Sequence, residues 1–241
     1  MGKRTVREPS RMQSREMFNR VAHRYDFLNR VLSCGIDIMW RRRLASFLSP
    51  REGQYVLDLA TGTGDQVLGL FHDGSPVQSA VGMDVADKML QTARRKILKA
   101  GLSQAIALVM GTATRIPSKD RVFDAVTISF GIRNVVDVSQ SLKEAYRVLK
   151  PGGGVLVLEF SLPQNRMIGG IYLLYLRHVL PWVGALISGD GFAYRYLNET
   201  IETFPYGEGF LRLLRLAGFT HVFSRPLAFG IATVYHGRKT S

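Results

Sequence analysis

The chain has 241 residues, 46% of them hydrophobic and 21% charged, with a formal net charge of +13 and one cysteine, Cys34. That length and apolar fraction suffice for one domain with a full core and exclude a disordered chain. One cysteine excludes an internal disulfide and points to a reducing compartment, with Cys34 read as a small structural residue. Residues 1–52 carry 12 Lys/Arg and 5 Asp/Glu, so much of the positive charge sits at the start. Such an excess suits nucleic acid, an anionic membrane surface or solubility alone. The basic residues are spread along expected helices, apart from Arg41-Arg42-Arg43, and no nucleic-acid-binding motif is present, so no nucleic-acid partner is expected.

The first residues lack the apolar stretch of a signal peptide, so a cytoplasmic location is expected. Residues 1–13 are polar. Met17, Phe18, Val21, Tyr25, Leu28 and Leu32 then recur at helical spacing. A second helix is expected from about Asp37, which would cap it, burying Trp40, Leu44 and Phe47.

Tyr55–Leu59 reads as a short buried strand, followed by the glycine-rich turn Ala60-Thr61-Gly62-Thr63-Gly64 and a helix from about Gln66. This is how a nucleotide-binding βαβ unit begins. Glycines let the backbone approach a ligand, and the helix N-terminus favours polar or anionic groups. The next strand, Ala80–Met83, ends at Asp84, 20 residues beyond Gly64, where a carboxylate can accept hydrogen bonds from ribose hydroxyls. A dinucleotide fold wants a third glycine, but that position is Val67, and Asp65 puts negative charge where phosphates would lie. Both points favour a phosphate-free nucleoside such as S-adenosylmethionine (SAM). A structural glycine turn is the competing reading.

Lys88–Ala100 reads as a helix ended by Gly101, Ile106–Met110 as a third strand and Phe123–Ser129 as a fourth. Ser139–Lys150 is expected as a helix terminated by Pro151-Gly152-Gly153, before a fifth strand, Val155–Phe160. The pattern then breaks for residues 162–209, rich in Tyr, Phe, Leu and Trp. Their most apolar part, Ile168–Ile187, is interrupted by Arg177, His178 and Pro181 and is not read as transmembrane. Phe210–Ala217 is a last helix, and His221–Arg225 with Ile231–His236 read as an antiparallel pair. The alternation predicts one α/β domain over 1–241: a doubly wound, mostly parallel, Rossmann-like sheet, with basic N-terminal helices (1–52) and a helical insertion after strand five (162–209). In such sheets the ligand lies outside the carboxyl ends of the strands.

The chain resembles the ubiquinone/menaquinone biosynthesis C-methyltransferases, the UbiE/MenG family of class I SAM-dependent methyltransferases, from about Met17 to Lys239. The likeness rests on Tyr25-Asp26-Phe27-Leu28-Asn29 with Ser33 and Trp40, VLDLATGTGD at Val56–Asp65, TISFGIRNV at Thr127–Val135, RVLKPGG at Arg147–Gly153 and LEFS at Leu158–Ser161. The segments His178-Val179-Leu180-Pro181 and Tyr194-Arg195-Tyr196-Leu197 also match. Departures are Leu28 for Met, Asp37 for His, and Thr112 where the family has Asn or Asp beside Ala113.

The resemblance implies methyl transfer from SAM to a ring carbon of a prenylated hydroquinone, demethylmenaquinol or the corresponding benzoquinol. It implies Thr63, Asp84, Thr112, Ala113 and Ser129 on SAM, Gly62 and Gly64 around its methionine part, and Asp58 beside its ammonium. A phenol titrates near ~10, so the site must remove or stabilise that proton. Arg133 and Asn134 follow strand four at the ligand edge. Arg133 stays protonated and would stabilise phenolate or orient a water; an ordinary salt-bridge arginine is the alternative. His178 is the conventional base candidate, against a packing role. No metal is expected.

An insoluble prenyl tail implies peripheral contact with an anionic membrane at its cytoplasmic face, through Ile168–Ile187 and the N-terminal helices. A homo-oligomer is compatible with the sequence. The rival functions are a SAM-dependent methyltransferase of RNA or protein, and a non-catalytic SAM-binding scaffold of a quinone-synthesis complex.

Overall fold

A computed structural model describes residues 14–21, 26, 30, 33, 35–179 and 198–240. The expectations for Tyr25, Leu28, Leu32, Cys34, Leu180-Pro181 and Tyr194–Leu197 lie outside these residues.

Two helices, α1 (Ser14–Val21) and α2 (Ile36–Ala45), precede the sheet. Then follow β1 (Gln54–Leu59), the short α3 (Asp65–Gly69), β2 (Val77–Asp84), α4 (Asp87–Lys99), β3 (Ile106–Met110) and β4 (Phe123–Ser129). A 3-10 turn (Ile132–Asn134) leads to α5 (Val138–Val148) and β5 (Leu149–Phe160). After β5 come α6 (Arg166–Leu174), a π turn (Tyr175–Val179), α7 (Glu208–Leu216), β6 (Thr220–Leu227), a 3-10 turn (Ala228–Gly230) and β7 (Ala232–Arg238).

The seven strands form one sheet in the order β3-β2-β1-β4-β5-β7-β6. β1 to β5 pair in parallel, and β7 runs antiparallel between β5 and β6. Strand order reverses between the parallel neighbours β1 and β4, so the ligand crevice belongs outside their carboxyl ends.

The strands are apolar on both faces because both faces are covered. Leu57, Leu59, Val126 and Ile128 pack with Leu142 and Ala145 of α5 and Phe210 and Leu214 of α7. On the other face Val56, Ala80 and Ala125 meet Val67 of α3 and Ile97 of α4. Farther along that face Trp40 and Leu44 of α2 pack on Leu156, Leu158 and Val234. Burying each such leucine contributes about 1.5–3 kcal/mol.

Two boundaries differ from the sequence expectation. Asp37 does not cap α2: the N-cap is Gly35 in the left-handed region (φ 76°), and Asp37 lies buried in the first turn. There it pairs with Arg30 and Arg41 and accepts from Ser33 Oγ at 2.8 Å. The second boundary is that of α5, which ends at Val148, so that Lys150–Gly153 enters β5. The Lys239 ammonium replaces the expected glycine stop by donating to the carbonyls of Tyr146 and Leu149, both at 2.8 Å. Tertiary pairing overrides the local Pro-Gly-Gly signal, at the cost of a register shift between Phe123 and Ala125.

Candidate active site

A cavity of about 780 Å³, counting its open mouth, lies at the carboxyl ends of β1, β2 and β4. One wall is made by Ala60, Gly62, Met83, Asp84, Val85, Met89 and Gly111–Ala113, with Phe18 of α1 closing over them. The other is made by Ser129, Phe130, Gly131, Asn134, Val135 and Val136.

Asp84 ends β2 and is fixed by the backbone. Its Oδ2 accepts from Gly62 N at 2.8 Å and its Oδ1 from Ala86 N at 2.9 Å. Burial pushes its carboxyl above the ordinary range, against these backbone donors. The glycine loop is thus tied to the next strand by the very carboxylate that faces the cavity. Gly62 and Gly64 take φ of 57° and 87°, values that L side chains adopt at a cost.

Asp58 lies behind this loop. It is fully buried and accepts from Thr61 Oγ1 and Thr127 Oγ1, both at 2.6 Å. Burial raises its carboxyl from 3.8 to about 6, while the two hydroxyls and Arg41 pull it back. Thr63 is buried too, and its Oγ1 donates to Asp26 Oδ1 at 2.5 Å. Lys96 of α4 pairs with Asp26 at 2.5 Å and with Asp65 at 2.7 Å, and Arg30 pairs with Asp65 at 2.9 Å. Burial favours the neutral Asp65, but the Lys96 hydrogen bond and charge, with Arg41 and Arg30, outweigh it and hold the carboxyl low. Asn19 of α1 adds a bond to Asp87 at 2.9 Å. Residues ahead of the sheet are thereby strapped across the glycine loop.

The second wall starts from a tight turn. Phe130 has φ 56°, and a Cβ on Gly131 would sit 2.5 Å from the Cβ of Ala60, itself at φ 51°. Ser129 Oγ donates to Gln66 Oε1 at 2.8 Å. Asn134 Oδ1 is buried in this wall without a hydrogen-bond partner among the described residues.

The sequence-derived candidates therefore separate. Gly62, Asp84, Thr112, Ala113, Ser129 and Asn134 line one cavity. Asp58, Thr63 and Gly64 lie behind its surface and shape the loop. Arg133 is buried behind the second wall, bonded to Glu159 Oε1 at 2.5 Å and to Phe130 O at 2.9 Å. His178 is exposed on the π turn, away from the cavity lining, beside an Arg177 that pairs with Glu202 at 2.6 Å. Thr112 Oγ1 lies 2.9 Å from Thr114 Oγ1, so its hydroxyl is engaged locally.

Sequence reasoning missed Phe18, Gln66, Asp26 and Glu159. Glu159 had a usable signal, since a polar side chain inside an apolar run must find a buried partner.

The residues fit SAM. No Lys or Arg is among the lining residues, so the cavity offers no countercharge to a pyrophosphate. A carboxylate for a ribose diol stands between the glycine loop and an apolar slot of Val85, Met89 and Phe18 that suits a flat base. Among the described residues no cluster of His, Cys, Asp and Glu could hold a metal ion.

Solved structures share this architecture. The [4+2]-cyclase SpnF superposes with TM-score 0.70 at 17% identity, covering 96% of each chain. A SAM dependent methyltransferase from Aquifex aeolicus gives 0.58 at 17% identity, covering 82% of this chain and 88% of that one. At such identities the likeness concerns the fold, and a fold does not fix the chemistry. Sequence relatives are nearer. The "Ubiquinone/menaquinone biosynthesis C-methyltransferase UbiE" of Geobacter sulfurreducens is 45% identical over 93% of this chain and 88% of its own. The "Demethylmenaquinone methyltransferase" of Thermus thermophilus is 44% identical over 92% of this chain and 99% of its own. The model of the ubiE/COQ5 methyltransferase family matches residues 5–239. With that match, the chain belongs to the ubiE/COQ5 methyltransferase family and is a SAM-dependent methyltransferase.

Proposed function

We propose that the enzyme methylates a ring carbon of a prenylated hydroquinone, demethylmenaquinol or the related benzoquinol, in quinone biosynthesis. The observation that carries this reading is the second wall: its lining is apolar apart from Ser129 and the side-chain amide of Asn134. A flat apolar ring bearing a hydroxyl satisfies both features. An RNA base or a peptide amide would bring more polar edges than this wall can pair. The names of the relatives agree with the reading.

When bound, SAM supplies an electrophilic methyl group. Asp84 accepts from its ribose hydroxyls, Gly62 follows its methionine part, and Gly111–Ala113 border its base. Ser129 bridges the two walls through Gln66. Asp58, Thr63 and Gly64 keep the loop in shape from behind. On the acceptor side the cavity-lining Asn134 amide pairs with the ring hydroxyl and orients it, so that the oxygen can push electron density toward the carbon to be methylated. As that carbon gains the methyl group, the proton it loses passes to water at the open mouth of the cavity. Arg133 acts through the turn it fastens, and His178 stays outside the chemistry.

Substrate delivery suits a peripheral site at the cytoplasmic face of an anionic membrane. Among the described residues no helix is long and apolar enough to cross a bilayer. α6 nevertheless presents Met167, Ile171 and Leu174 outward at 71%, 64% and 61% exposure, while Tyr172 packs inward. Such a stripe can lie in the headgroup boundary, with Arg166, Arg42 and Arg43 as exposed cations.

The test is turnover of chemically reduced demethylmenaquinol with SAM, read by mass spectrometry as one added methyl group on the ring. Reduced quinol should be methylated and the oxidised quinone should not, because only the former is electron-rich, and His178→Ala should keep the wild-type rate. Methylation of RNA or protein with no quinol turnover would overturn the reading. SAM binding without turnover of any acceptor would favour a scaffold.

A further inference from the structure

Glu159 is an acid in an otherwise apolar stretch of β5, and it is 1% exposed. Its Oε1 accepts from Arg133 Nη1 at 2.5 Å and from Phe160 N at 2.9 Å. Arg133 is 5% exposed, and its Nη1 also donates to Phe130 O at 2.9 Å. The guanidinium carbon lies 5.2 Å from the centre of the Phe160 ring, which in turn packs 4.6 Å from that of Phe130. The charge of Arg133 is therefore spent behind the acceptor wall.

The turn that this pair holds is under strain. Phe130 is in the left-handed region, and Gly131 is pressed against Ala60 with no room for a Cβ. Such a backbone persists only where its surroundings over-determine it. Two restraints act on Phe130: its N donates to Leu158 O at 2.7 Å, and its carbonyl is held by Arg133. The second restraint ends on Glu159. The same turn carries Asn134, whose N donates to Gly131 O at 3.0 Å. Tyr172 of α6 is buried in the cluster against which Phe160, the ring beneath the Arg133 guanidinium, packs.

We infer that Glu159 is a positioning residue: acting through Arg133, it fixes the Phe130–Asn134 turn and thereby the place of Asn134 in the acceptor wall. This rests on the reading of the second wall as the methyl-acceptor side. It gives Arg133 a role that needs neither deprotonation nor contact with the reactants. Glu159 and Arg133 form one unit, and the unit is felt in kcat.

The experiment compares full-length wild type with Glu159→Gln, Glu159→Asp, Arg133→Met and the double variant Glu159→Gln/Arg133→Met. For Glu159→Gln, kcat should fall about a hundredfold, the scale of a ~1 Å misplacement near a reacting centre. The Kd for SAM and the KM for quinol should change less than about threefold, the mark of an effect confined to the transition state. Glu159→Asp should recover part of the lost rate. Arg133→Met and the double variant should match Glu159→Gln in kcat, because two members of one unit are not additive.

Full turnover in Glu159→Gln overturns the proposal. So does a much deeper loss in Arg133→Met with additive behaviour in the double variant, which would mean that Arg133 meets the reactants itself. Amide hydrogen exchange reads the clamp without any acceptor. Protection at Asn134 and Val135 should fall about tenfold in Glu159→Gln while that of Asp58–Gly64 is kept, as expected for a local opening. Unchanged protection also overturns the proposal. Should the single variant fail to fold, the double variant, with no unpaired buried charge, carries the same exchange test. A wild type that ignores every quinol would sink the acceptor reading alone, since the exchange result still decides the clamp.

Discussion

At the β1–β2 edge of the cavity both oxygens of the one carboxylate, Asp84, already accept backbone hydrogen bonds, and the loop beside it is strapped down by Asp26, Lys96 and Arg30. At the β4–β5 edge Asn134 Oδ1 and Arg133 Nε have no partner among the described residues, and Phe130 is in a strained conformation. The first wall is a preorganised receptor: little must rearrange when a nucleoside arrives, so its contacts go into affinity. The second wall keeps unmet polar capacity and strain, which ligand contacts can relieve and which favour chemistry over tight ground-state binding.

The comparison breaks most visibly where the walls touch. A Cβ on Gly131 would stand 2.5 Å from that of Ala60, an atom fixed rigidly to the glycine-loop backbone rather than the free end of a flexible side chain. Gly131→Ala should therefore damage both walls at once. Overpacking of this kind costs about 1–3 kcal/mol of stability, and a roughly 1 Å shift of the turn costs about a hundredfold in kcat. Thermal denaturation, SAM titration and turnover on one preparation check it. A variant that loses turnover but binds SAM as wild type would show the walls to be mechanically independent.

Asp84→Ala touches the first wall alone. It removes an acceptor for ribose hydroxyls and frees Gly62 N. Hydrogen bonds to a charged group contribute about 1.5–3 kcal/mol, so the Kd for SAM should rise about tenfold to a hundredfold. At saturating SAM the rate should recover, because the acceptor wall is intact. Calorimetric titration paired with turnover at high SAM separates this from a loss of kcat, which would move Asp84 into the chemistry.

The same division explains what was legible in the sequence. The strands, the glycine loop and Asp84 are written locally, in apolar runs, paired glycines and one fixed spacing, and they appear in the expected order, with β2 and β5 starting earlier than the apolar runs suggest. The side-chain directions of the second wall depend on partners far along the chain. Arg133 follows β4, which suggests a reactive side chain, but Glu159, 26 positions on, draws it behind the wall. Thr63 sits in the loop, yet its hydroxyl is claimed by Asp26 across 37 positions. His178 falls in an apolar stretch that reads as a ligand-lining helix, and the π turn leaves it exposed. Asp37 looks like a cap because acids suit helix starts, but two arginines draw it into the first turn instead. No local pattern encodes a strained turn made by Phe130 rather than by glycine.

The smallest expected effect on function belongs to Asp58, behind the first wall. Burial raises its carboxyl from 3.8 to about 6, so ionising it in the folded protein is costlier than in the unfolded chain. The stability tied to the neutral form is fully present below about pH 4, the unfolded value, and is lost as pH rises through about 6. Asp58→Asn cannot ionise. It can still pair with Thr61 and Thr127, whose hydroxyls donate or accept as needed. The variant should thus match or trail wild type at pH 4 and gain on it toward pH 8, by on the order of 2 kcal/mol. Urea denaturation across that range gives the gap and its midpoint. Repeating the series with saturating SAM tests whether Asp58 meets the ligand's ammonium. A cation against the carboxylate would pull its pKa down and move the midpoint well below 6. A carboxylate that only shapes the loop from behind would leave the midpoint in place, which is the expected outcome given that Asp58 is absent from the cavity lining.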